Sequence, residues 1–176
     1  MLFRSVDGFL NHRIDTELMD HIAEEFGKHF NMDEVTMILT AEASGIALSA
    51  IVAQHFHKPM IFAKKAKSDN IEGGLYQSDI FSYTYKKKVT LLVSKEWMSA
   101  DDKVLIIDDF MANGEAMRGL CDIVKAAGAT LVGIGCAVEK GFQGGGDRLR
   151  AAGVNLKSLA IIESAEPGNI VFRGED

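Results

Sequence analysis

Short apolar runs alternate with helical patterns along most of the chain, and this alternation constrains the fold most strongly. The apolar run 35–40 precedes an Ala- and Ile-rich helical stretch at 45–56 and a second apolar run at 60–63. A similar order follows later, where the run 104–107 is followed by a helical stretch over 114–127 and another run. Strands that alternate with helices form parallel sheets, with the helices packed on both faces. The sequence therefore predicts an α/β fold with a mostly parallel, twisted sheet flanked by helices.

Further elements are predicted on either side of these units. Asp15 has the character of an N-cap, and apolar residues recur every four positions after it, which predicts one buried helix face: Leu18, Ile22, Phe26 and Phe30. Runs at 131–138, 156–162 and 170–172 predict later strands. The 176 residues contain no internal repeat or Pro-rich linker, so we expect one domain over residues 1–176.

Composition narrows the compartment and the class of partner. An apolar content of 47% with 25% charged residues is typical of a folded globular protein. The net charge of −6 argues against nucleic acid as the main partner, because phosphate backbones require a dense surface of Lys and Arg. No apolar stretch is long enough to span a bilayer and no secretory signal is recognisable, so we expect no membrane partner and a cytoplasmic location. Cys121 and Cys136 lack metal or redox spacing and are predicted to be buried free thiols.

A long polar stretch at 64–85 interrupts the alternating pattern. Loops of this length inside a compact domain are usually functional or disordered. Aromatic residues alternate with polar ones at its far end, and the apolar run 89–93 follows. We therefore predict a β-hairpin with a mobile tip at Gly73-Gly74, in which residues 66–84 act as a lid.

Two adjacent carboxylates, Asp108 and Asp109, follow the apolar run 104–107 and precede an Asn-Gly pair that opens a helix. In parallel sheets, ligands bind beyond the carboxyl ends of strands, where the next helix offers unpaired backbone N–H groups. A helix N-terminus attracts phosphate, whereas two carboxylates repel it. A ligand that carries both hydroxyls and a phosphate accounts for the combination.

We therefore expect ribose 5-phosphate at this junction. The carboxylates would accept hydrogen bonds from the 2- and 3-hydroxyls, and the backbone amides of 112–116 would surround the 5-phosphate. The alternative is that the doublet only caps a helix in a strand-to-helix turn. The four apolar residues before the doublet, the Asn-Gly pair after it and the lid-like stretch upstream favour the ligand site.

An apolar run that leads into two acidic residues and a small-residue loop resembles the phosphoribosyl-diphosphate motif of the type I phosphoribosyltransferases. Four segments together are similar to the purine-salvage members of that family: FLNHRID at 9–15, EASGIA at 42–47, VLIIDDFMANGEA at 104–116 and GIGCAVEKGFQ at 133–143. The resemblance covers nearly the whole chain. It implies the type I phosphoribosyltransferase fold, with a β-hairpin mobile lid and a small base-covering hood near Leu2 and Arg4.

The resemblance also implies roles for individual residues. The implied catalytic residues are Asp108 and Asp109, near the ribose ring, and Lys65, which with Lys64 and Mg²⁺ would contact the departing diphosphate. No residue is implied to bind Mg²⁺ directly, because the ion would arrive with the diphosphate. The implied substrate-binding residues comprise a 5-phosphate loop, a diphosphate-side loop over 42–45 and two purine contacts: Ala112, Asn113, Gly114, Glu115 and Ala116; Glu42, Ser44 and Gly45; Asn11 and Lys140.

Two of these assignments also raise questions of chemistry. Glu115 places a negative charge beside the expected phosphate, so we expect its backbone N–H to bind while its side chain points to solvent. Asn11 can donate and accept hydrogen bonds, and Lys140 can donate to a ring carbonyl, which suits an oxopurine better than adenine. From the sequence alone, a plain loop residue and a solvent-seeking lysine explain these two positions equally well.

The implied reaction is displacement of diphosphate from C1 of the activated ribose by a purine ring nitrogen. The implied substrates are xanthine and 5-phosphoribosyl 1-diphosphate, with guanine or hypoxanthine as the alternative base, and the implied assembly is a homodimer. A non-catalytic regulator that senses phosphoribosyl diphosphate is another possibility, although no DNA-binding appendage or basic face is evident. A dinucleotide-dependent enzyme is disfavoured, because no G-x-G-x-x-G follows the first strand.

Overall fold

The computed structural model describes residues 7–65, 74–82, 87–166 and 169–174. Its strands are β1 (Met37–Ala41), β2 (Met60–Ala63), β3 (Leu75–Ser82), β4 (Lys87–Ser94), β5 (Lys103–Met111), β6 (Thr130–Lys140), β7 (Leu156–Glu166) and β8 (Asn169–Phe172). Its α-helices are α1 (Thr16–His29), α2 (Gly45–His55), α3 (Glu115–Ala126) and α4 (Gly145–Ala151). A π-helical turn at Asp7–Asn11 precedes α1, and a 3₁₀ turn at Gly141–Gln143 precedes α4.

Six strands form one sheet in the order β2-β1-β5-β6-β7-β8, while β3 and β4 form a separate antiparallel hairpin. All neighbouring strands of the large sheet are parallel except β7 and β8, which are antiparallel. The predicted strand–helix–strand units β1-α2-β2 and β5-α3-β6 are both present. The predicted parallel α/β architecture is therefore confirmed.

The sheet separates two hydrophobic cores, and the side chains of β5 show the division. Val104 and Ile106 face a core shared with α3 and the hairpin, whereas Leu105 and Ile107 face a core shared with α1 and α2. All four side chains are fully buried, as expected for a central strand whose successive residues point to opposite faces. The continuous apolar run in the sequence reflects this burial on both sides.

The N-cap of α1 is as predicted, but its buried face is rotated from the predicted one. The Asp15 side chain accepts a hydrogen bond from the Leu18 backbone N–H at 3.1 Å. Within the helix, Met19, Ala23 and Phe26 are buried, whereas Leu18 is 37% exposed. The four-residue spacing drifts around an α-helix of 3.6 residues per turn, so its first members leave the buried stripe.

The hairpin is present, but its predicted tip is wrong. The pairing runs from Leu75 opposite Ser94 to Ser82 opposite Lys87, so residues 83–86 connect the two strands. Gly74 lies at the opposite end, where its carbonyl accepts a hydrogen bond from the Lys95 backbone N–H at 3.0 Å. Residues 66–73 and 83–84 of the predicted lid lie outside the described residues, as do Leu2 and Arg4 of the predicted hood.

Among the described residues, no helix combines the length and the apolar character needed to cross a membrane.

Candidate active site

A cleft of about 230 Å³ opens where the carboxyl ends of β1 and β5 meet the start of α3 and the hairpin. Its walls include most of the predicted site residues: Glu42, Ser44, Lys65, Asp108, Asp109, Ala112, Asn113, Gly114, Glu115 and Ala116. Three hairpin side chains that the sequence reading did not single out also line it: Ile80, Phe81 and Val89. The hairpin thus forms one wall of the cleft.

Strand β5 continues to Met111, so the acidic doublet lies within the strand and the loop begins only at Ala112. The prediction that the strand ends at Ile107 is therefore wrong at this boundary. Asp108 still pairs in the β5–β6 ladder opposite Cys136, and Phe110 pairs opposite Val138. A longer strand fixes the backbone of both carboxylates, which makes their positions more precise than those of loop residues.

Both carboxyl groups are buried, with exposed fractions of 7% for Asp108 and 3% for Asp109. One Asp109 oxygen accepts a hydrogen bond from the Ser44 hydroxyl at 3.0 Å, and one Asp108 oxygen accepts from the Asp109 backbone N–H at 3.1 Å. Removal from water raises the pKa of Asp108 well above its ordinary range, and the charge of Asp109 raises it further. Burial also raises the pKa of Asp109, against the hydrogen bond from Ser44.

Gly45 supports the doublet from behind and is not among the residues that line the cleft. A Cβ at this position would lie 2.3 Å from Asp108 Oδ1 and 2.3 Å from Thr40 Oγ1. Only glycine therefore lets the start of α2 approach this closely. The structure gives Gly45 a packing contact with a site carboxylate, and its predicted substrate contact stays a prediction.

The loop after β5 turns into α3 through Gly114, whose φ of 76° lies in the left-handed region that favours glycine. The first helical hydrogen bond runs from the Arg118 N–H to the Gly114 carbonyl at 2.9 Å. The backbone amides of 115–117 precede that bond and have no partner within the helix. They lie in the cleft wall, where their N–H groups and the helix dipole produce a positive potential.

Helix α4 holds this loop from outside the cleft. A Cβ on Gly145 would lie 2.4 Å from the Ala112 carbonyl oxygen, so the two backbones are in direct contact. Arg148 Nη2 donates a hydrogen bond to the Asn113 carbonyl oxygen at 3.0 Å. The hydrogen bond and the backbone contact together attach the loop to α4. Local sequence patterns do not reveal this contact, because the two segments lie far apart along the chain.

The Glu115 side chain was predicted to point to solvent, but in the structure it is paired with a cation. Its Oε2 atom lies 3.1 Å from Arg118 Nη2, one helical turn further on. The same Arg118 nitrogen donates to the Asp79 carbonyl oxygen of β3 at 2.9 Å. The carboxylate beside the loop is thus paired with a cation that also contacts the hairpin.

The two lysines proposed for the diphosphate are placed differently. Lys65 lines the cleft, and its backbone N–H donates to a Glu42 carboxylate oxygen. The peptide bond between Glu42 and Ala43 is cis. Lys64 is not among the lining residues. It exchanges two backbone hydrogen bonds with Leu92, at 2.8 and 2.9 Å, which fasten the end of β2 to the hairpin.

The two predicted purine contacts lie outside the lining of this cleft. Lys140 ends β6 and is 7% exposed, with its Nζ atom 4.9 Å from the centre of the Phe110 ring. Phe110 in turn forms part of the cleft wall. Burial lowers the pKa of Lys140. Asn11 ends the π-helical turn and is exposed.

The predicted free thiols differ in burial. Cys136 is fully buried in β6, whereas Cys121 of α3 is only partly buried. Burial raises the pKa of both thiols, that of Cys121 to about 11.

The buried acidic pair, the amide-lined loop and the hairpin wall lie together in one cleft of a parallel α/β sheet. Residues 7–152 match the phosphoribosyl transferase domain, and the chain belongs to the phosphoribosyltransferase family. It is 52% identical over 172 residues to xanthine phosphoribosyltransferase of Lachnoclostridium phytofermentans, which covers 97% of this chain and 89% of that protein. It is also 52% identical over 171 residues to xanthine phosphoribosyltransferase of Bifidobacterium longum, at 96% and 89% coverage.

Solved structures support the fold. The adenine phosphoribosyltransferase of Giardia lamblia, in complex with 9-deazaadenine, aligns with a TM-score of 0.73 at 23% identity, over 84% of this chain and 80% of that one. The adenine phosphoribosyltransferase of Thermoanaerobacter pseudethanolicus aligns with a TM-score of 0.70 at 20% identity, over 84% and 81%. The predicted type I phosphoribosyltransferase fold and the family resemblance are thereby confirmed.

Proposed function

We propose that this protein transfers the phosphoribosyl group of 5-phosphoribosyl 1-diphosphate to xanthine, which yields xanthosine 5'-monophosphate and diphosphate. The observation that carries the proposal is the buried Asp108-Asp109 pair, which lies in one cleft with the amide-lined loop at the start of α3. The names of the 52% identical relatives support the choice of reaction and of base.

In this reaction the bond between C1 of the ribose and the diphosphate oxygen breaks, and a bond from C1 to a purine ring nitrogen forms. The base loses the proton of that nitrogen, and the diphosphate leaves with the bonding electrons. Positive charge builds on the ribose ring in the transition state. The carboxylates of Asp108 and Asp109 are fixed in a poorly hydrated wall, where they would accept hydrogen bonds from the ribose hydroxyls and stabilise that charge.

The 5-phosphate would bind the backbone amides of Asn113, Gly114, Glu115 and Ala116, together with that of Ala112. This loop is held from behind by α4, so it needs little rearrangement to bind. Anchoring the phosphate fixes the position of C1 relative to the aspartates. Such positioning reduces the entropy cost of the reaction, which needs little covalent chemistry from the protein.

The diphosphate would lie on the side of Glu42, Ser44 and Lys65. Lys65 lines the cleft on this side, and its ammonium group would supply positive charge to the diphosphate. Mg²⁺, entering with the diphosphate, would neutralise the leaving group further. The ion would enter as a complex with the diphosphate, whose oxygens are ligands that Mg²⁺ accepts. We place no protein ligand on the ion.

The base would approach the Phe110 side of the cleft, with Lys140 and Asn11 as its polar contacts. Burial next to the Phe110 ring orients the Lys140 ammonium group and strengthens a hydrogen bond to a purine carbonyl. Xanthine carries two such carbonyls, whereas adenine carries none. This difference in acceptors is the physical reason for the proposed preference.

A comparison of bases tests the proposal. The protein is incubated with 5-phosphoribosyl 1-diphosphate, Mg²⁺ and one of xanthine, guanine, hypoxanthine or adenine, and nucleotide formation is followed by chromatography. We expect xanthosine monophosphate to form fastest. Faster turnover of guanine or hypoxanthine would show that xanthine is not the preferred substrate. Binding of phosphoribosyl diphosphate without turnover of any base would favour a non-catalytic regulator.

We further propose a homodimer that works in the cytoplasm. The family resemblance supports the dimer, and the phosphorylated substrate, which does not cross membranes unaided, supports the location. Light scattering on the purified protein measures the mass directly, and a value near 19.2 kDa would contradict the dimer.

A further inference from the structure

Arg118 makes three polar contacts that join separate parts of the cleft wall. Its Nη2 atom lies 3.1 Å from Glu115 Oε2 and donates to the Asp79 carbonyl oxygen at 2.9 Å. Its Nη1 atom lies 2.8 Å from Asp122 Oδ2. The pKa of Arg118 is raised, with the hydrogen bond to Glu115 as the largest cause. Arg118 itself is not among the residues that line the cleft.

Glu115 presents an electrostatic problem for a phosphate ligand. Its residue lines the cleft at the first position of α3, where the backbone N–H groups attract anions. An unpaired carboxylate at that place would repel a phosphate, and the repulsion is stronger where water is excluded. The ion pair with Arg118 offsets this charge and holds the carboxylate one turn along the helix.

The same guanidinium group connects the phosphate loop to the hairpin. Asp79 belongs to β3, two residues before Phe81, which lines the cleft. A second polar contact runs parallel to it, from the Ser78 hydroxyl to Asp122 Oδ2 at 2.9 Å. The Ser78–Asp122 contact keeps this part of the hairpin attached to α3 without Arg118, so the main consequence of releasing Arg118 is an unpaired Glu115 carboxylate.

We propose that Arg118 is a positioning residue for the phosphoribosyl ligand, and the proposal rests on the function proposed above. Arg118 holds the Glu115 carboxylate away from the 5-phosphate. It contacts no substrate. Its contribution therefore appears in the affinity for the sugar phosphate rather than in the turnover of the bound complex.

A double-mutant cycle tests this proposal. The variants are Arg118→Met, Glu115→Gln and the two combined, and the readouts are the Kd for ribose 5-phosphate by calorimetry and the KM and kcat with phosphoribosyl diphosphate. We expect Arg118→Met to raise Kd and KM about 5-fold, which is the fold-change for roughly 1 kcal/mol, with kcat within about 2-fold. In the Glu115→Gln background the same change should have less than a 2-fold effect, because no carboxylate remains to be shielded.

Two controls separate charge shielding from loss of folding or of net charge. Arg118→Lys keeps a cation and should recover most of the affinity, and Arg118→Gln takes the place of Arg118→Met in the cycle if Arg118→Met does not fold. Lys28→Met removes a cation from an exposed pair with Glu25 on α1 and should leave Kd unchanged. An equal loss of affinity from Arg118→Met with and without Glu115 would overturn the proposal.

The calorimetric arm also separates this inference from the proposed function. If the wild type binds ribose 5-phosphate but does not turn over xanthine, the choice of reaction is wrong and the cycle still decides the role of Arg118. A wild type that binds no ribose 5-phosphate overturns both.

Discussion

The carboxyl group of Asp108 lies where its negative charge is poorly solvated, and this placement carries a cost in stability. Burial is the largest cause of its raised pKa, and the neighbouring Asp109 is the next. A native state that disfavours the charged form gains stability when that charge is removed. The same unfavourable charge is what the proposed mechanism uses, since a positively charged ribose ring would relieve it.

We predict that Asp108→Asn stabilises the protein at neutral pH and lowers kcat by about 10²-fold or more. The native state keeps the Asp108 proton to a higher pH than the unfolded chain, whose carboxyl titrates near the ordinary value of 3.8. Between these two pKa values the native state binds more protons, so this group makes the free energy of unfolding fall as pH rises. Above the native pKa the whole cost is present, and asparagine removes it.

Thermal unfolding across the pH range checks this prediction. The melting temperature of Asp108→Asn should exceed that of the wild type at pH 8, and the gap should narrow towards acid pH. Asp101→Asn, at an exposed position, is the control and should show no such trend. A lower melting temperature for Asp108→Asn at pH 8 would mean that the carboxylate is stabilising.

At the scale of elements, local patterns located most strands and helices but not how they meet. The run 104–107 marked the centre of β5, yet the strand continues through Asp108 and Asp109 to Met111. Polar residues in a strand look like a strand end when only the sequence is read. The ladder with β6 extends the strand in the folded protein, and a partner that is remote in sequence leaves no local signal.

The hairpin turn was also mispredicted, because its position depends on contacts that are remote in sequence. Glycines at 73–74 are typical of a turn, but strand pairing places the connection at 83–86. The register is set by apolar side chains that must face α3, namely Ile80 and Leu91. Nothing in the sequence of the hairpin alone shows which helix it will pack against.

We predict that Gly119→Ala displaces the hairpin from α3. A Cβ at this position would lie 2.5 Å from Ile80 Cγ2 and 3.0 Å from Leu91 Cδ1. Alanine favours an isolated helix over glycine by about 1 kcal/mol, but relief of this clash must move β3, which is attached to the cleft. We expect faster amide hydrogen exchange across β3 and β4, and a KM for phosphoribosyl diphosphate raised about 3- to 10-fold.

Ile80→Ala supplies the matching test, because it removes the methyl group that the new Cβ would meet. In the Ile80→Ala background, Gly119→Ala should change amide exchange and KM much less than it does in the wild type. Additive effects of the two substitutions would show that Gly119→Ala does not act through the contact with Ile80.

At the scale of the whole molecule, a chain of charges ties the last third of the protein together. Glu139 of β6 is fully buried and accepts two hydrogen bonds from Arg150 of α4, at 2.6 and 3.2 Å. The Ser158 hydroxyl of β7 donates to the same carboxylate at 2.5 Å. Asp147 then joins Arg150, at 3.3 Å, to Arg173 after β8, at 2.8 Å. Helix α4, which supports the phosphate loop, is thereby attached to β6, to β7 and to the residue that follows β8.

This network could not be predicted from the sequence, because its members come from separate elements. The family resemblance implied a role for Lys140 but none for its neighbour Glu139. Adjacent residues of a strand point to opposite faces, so the two side chains have different surroundings. The partner of Glu139 is selected by the packing of α4 against β6. Gly146 permits that packing, because a Cβ there would lie 2.0 Å from Glu139 Oε1.

We predict that Arg150→Met lowers the free energy of unfolding by about 2–4 kcal/mol, because it leaves the buried Glu139 carboxylate without its cation. The double variant Glu139→Gln with Arg150→Met should recover most of this loss, since no buried charge then remains. Urea unfolding followed by circular dichroism gives the three free energies. Recovery of stability without recovery of the KM for phosphoribosyl diphosphate would show that the ion pair also sets the position of α4 behind the phosphate loop. Recovery of both the free energy of unfolding and the KM would show that the ion pair only stabilises the fold.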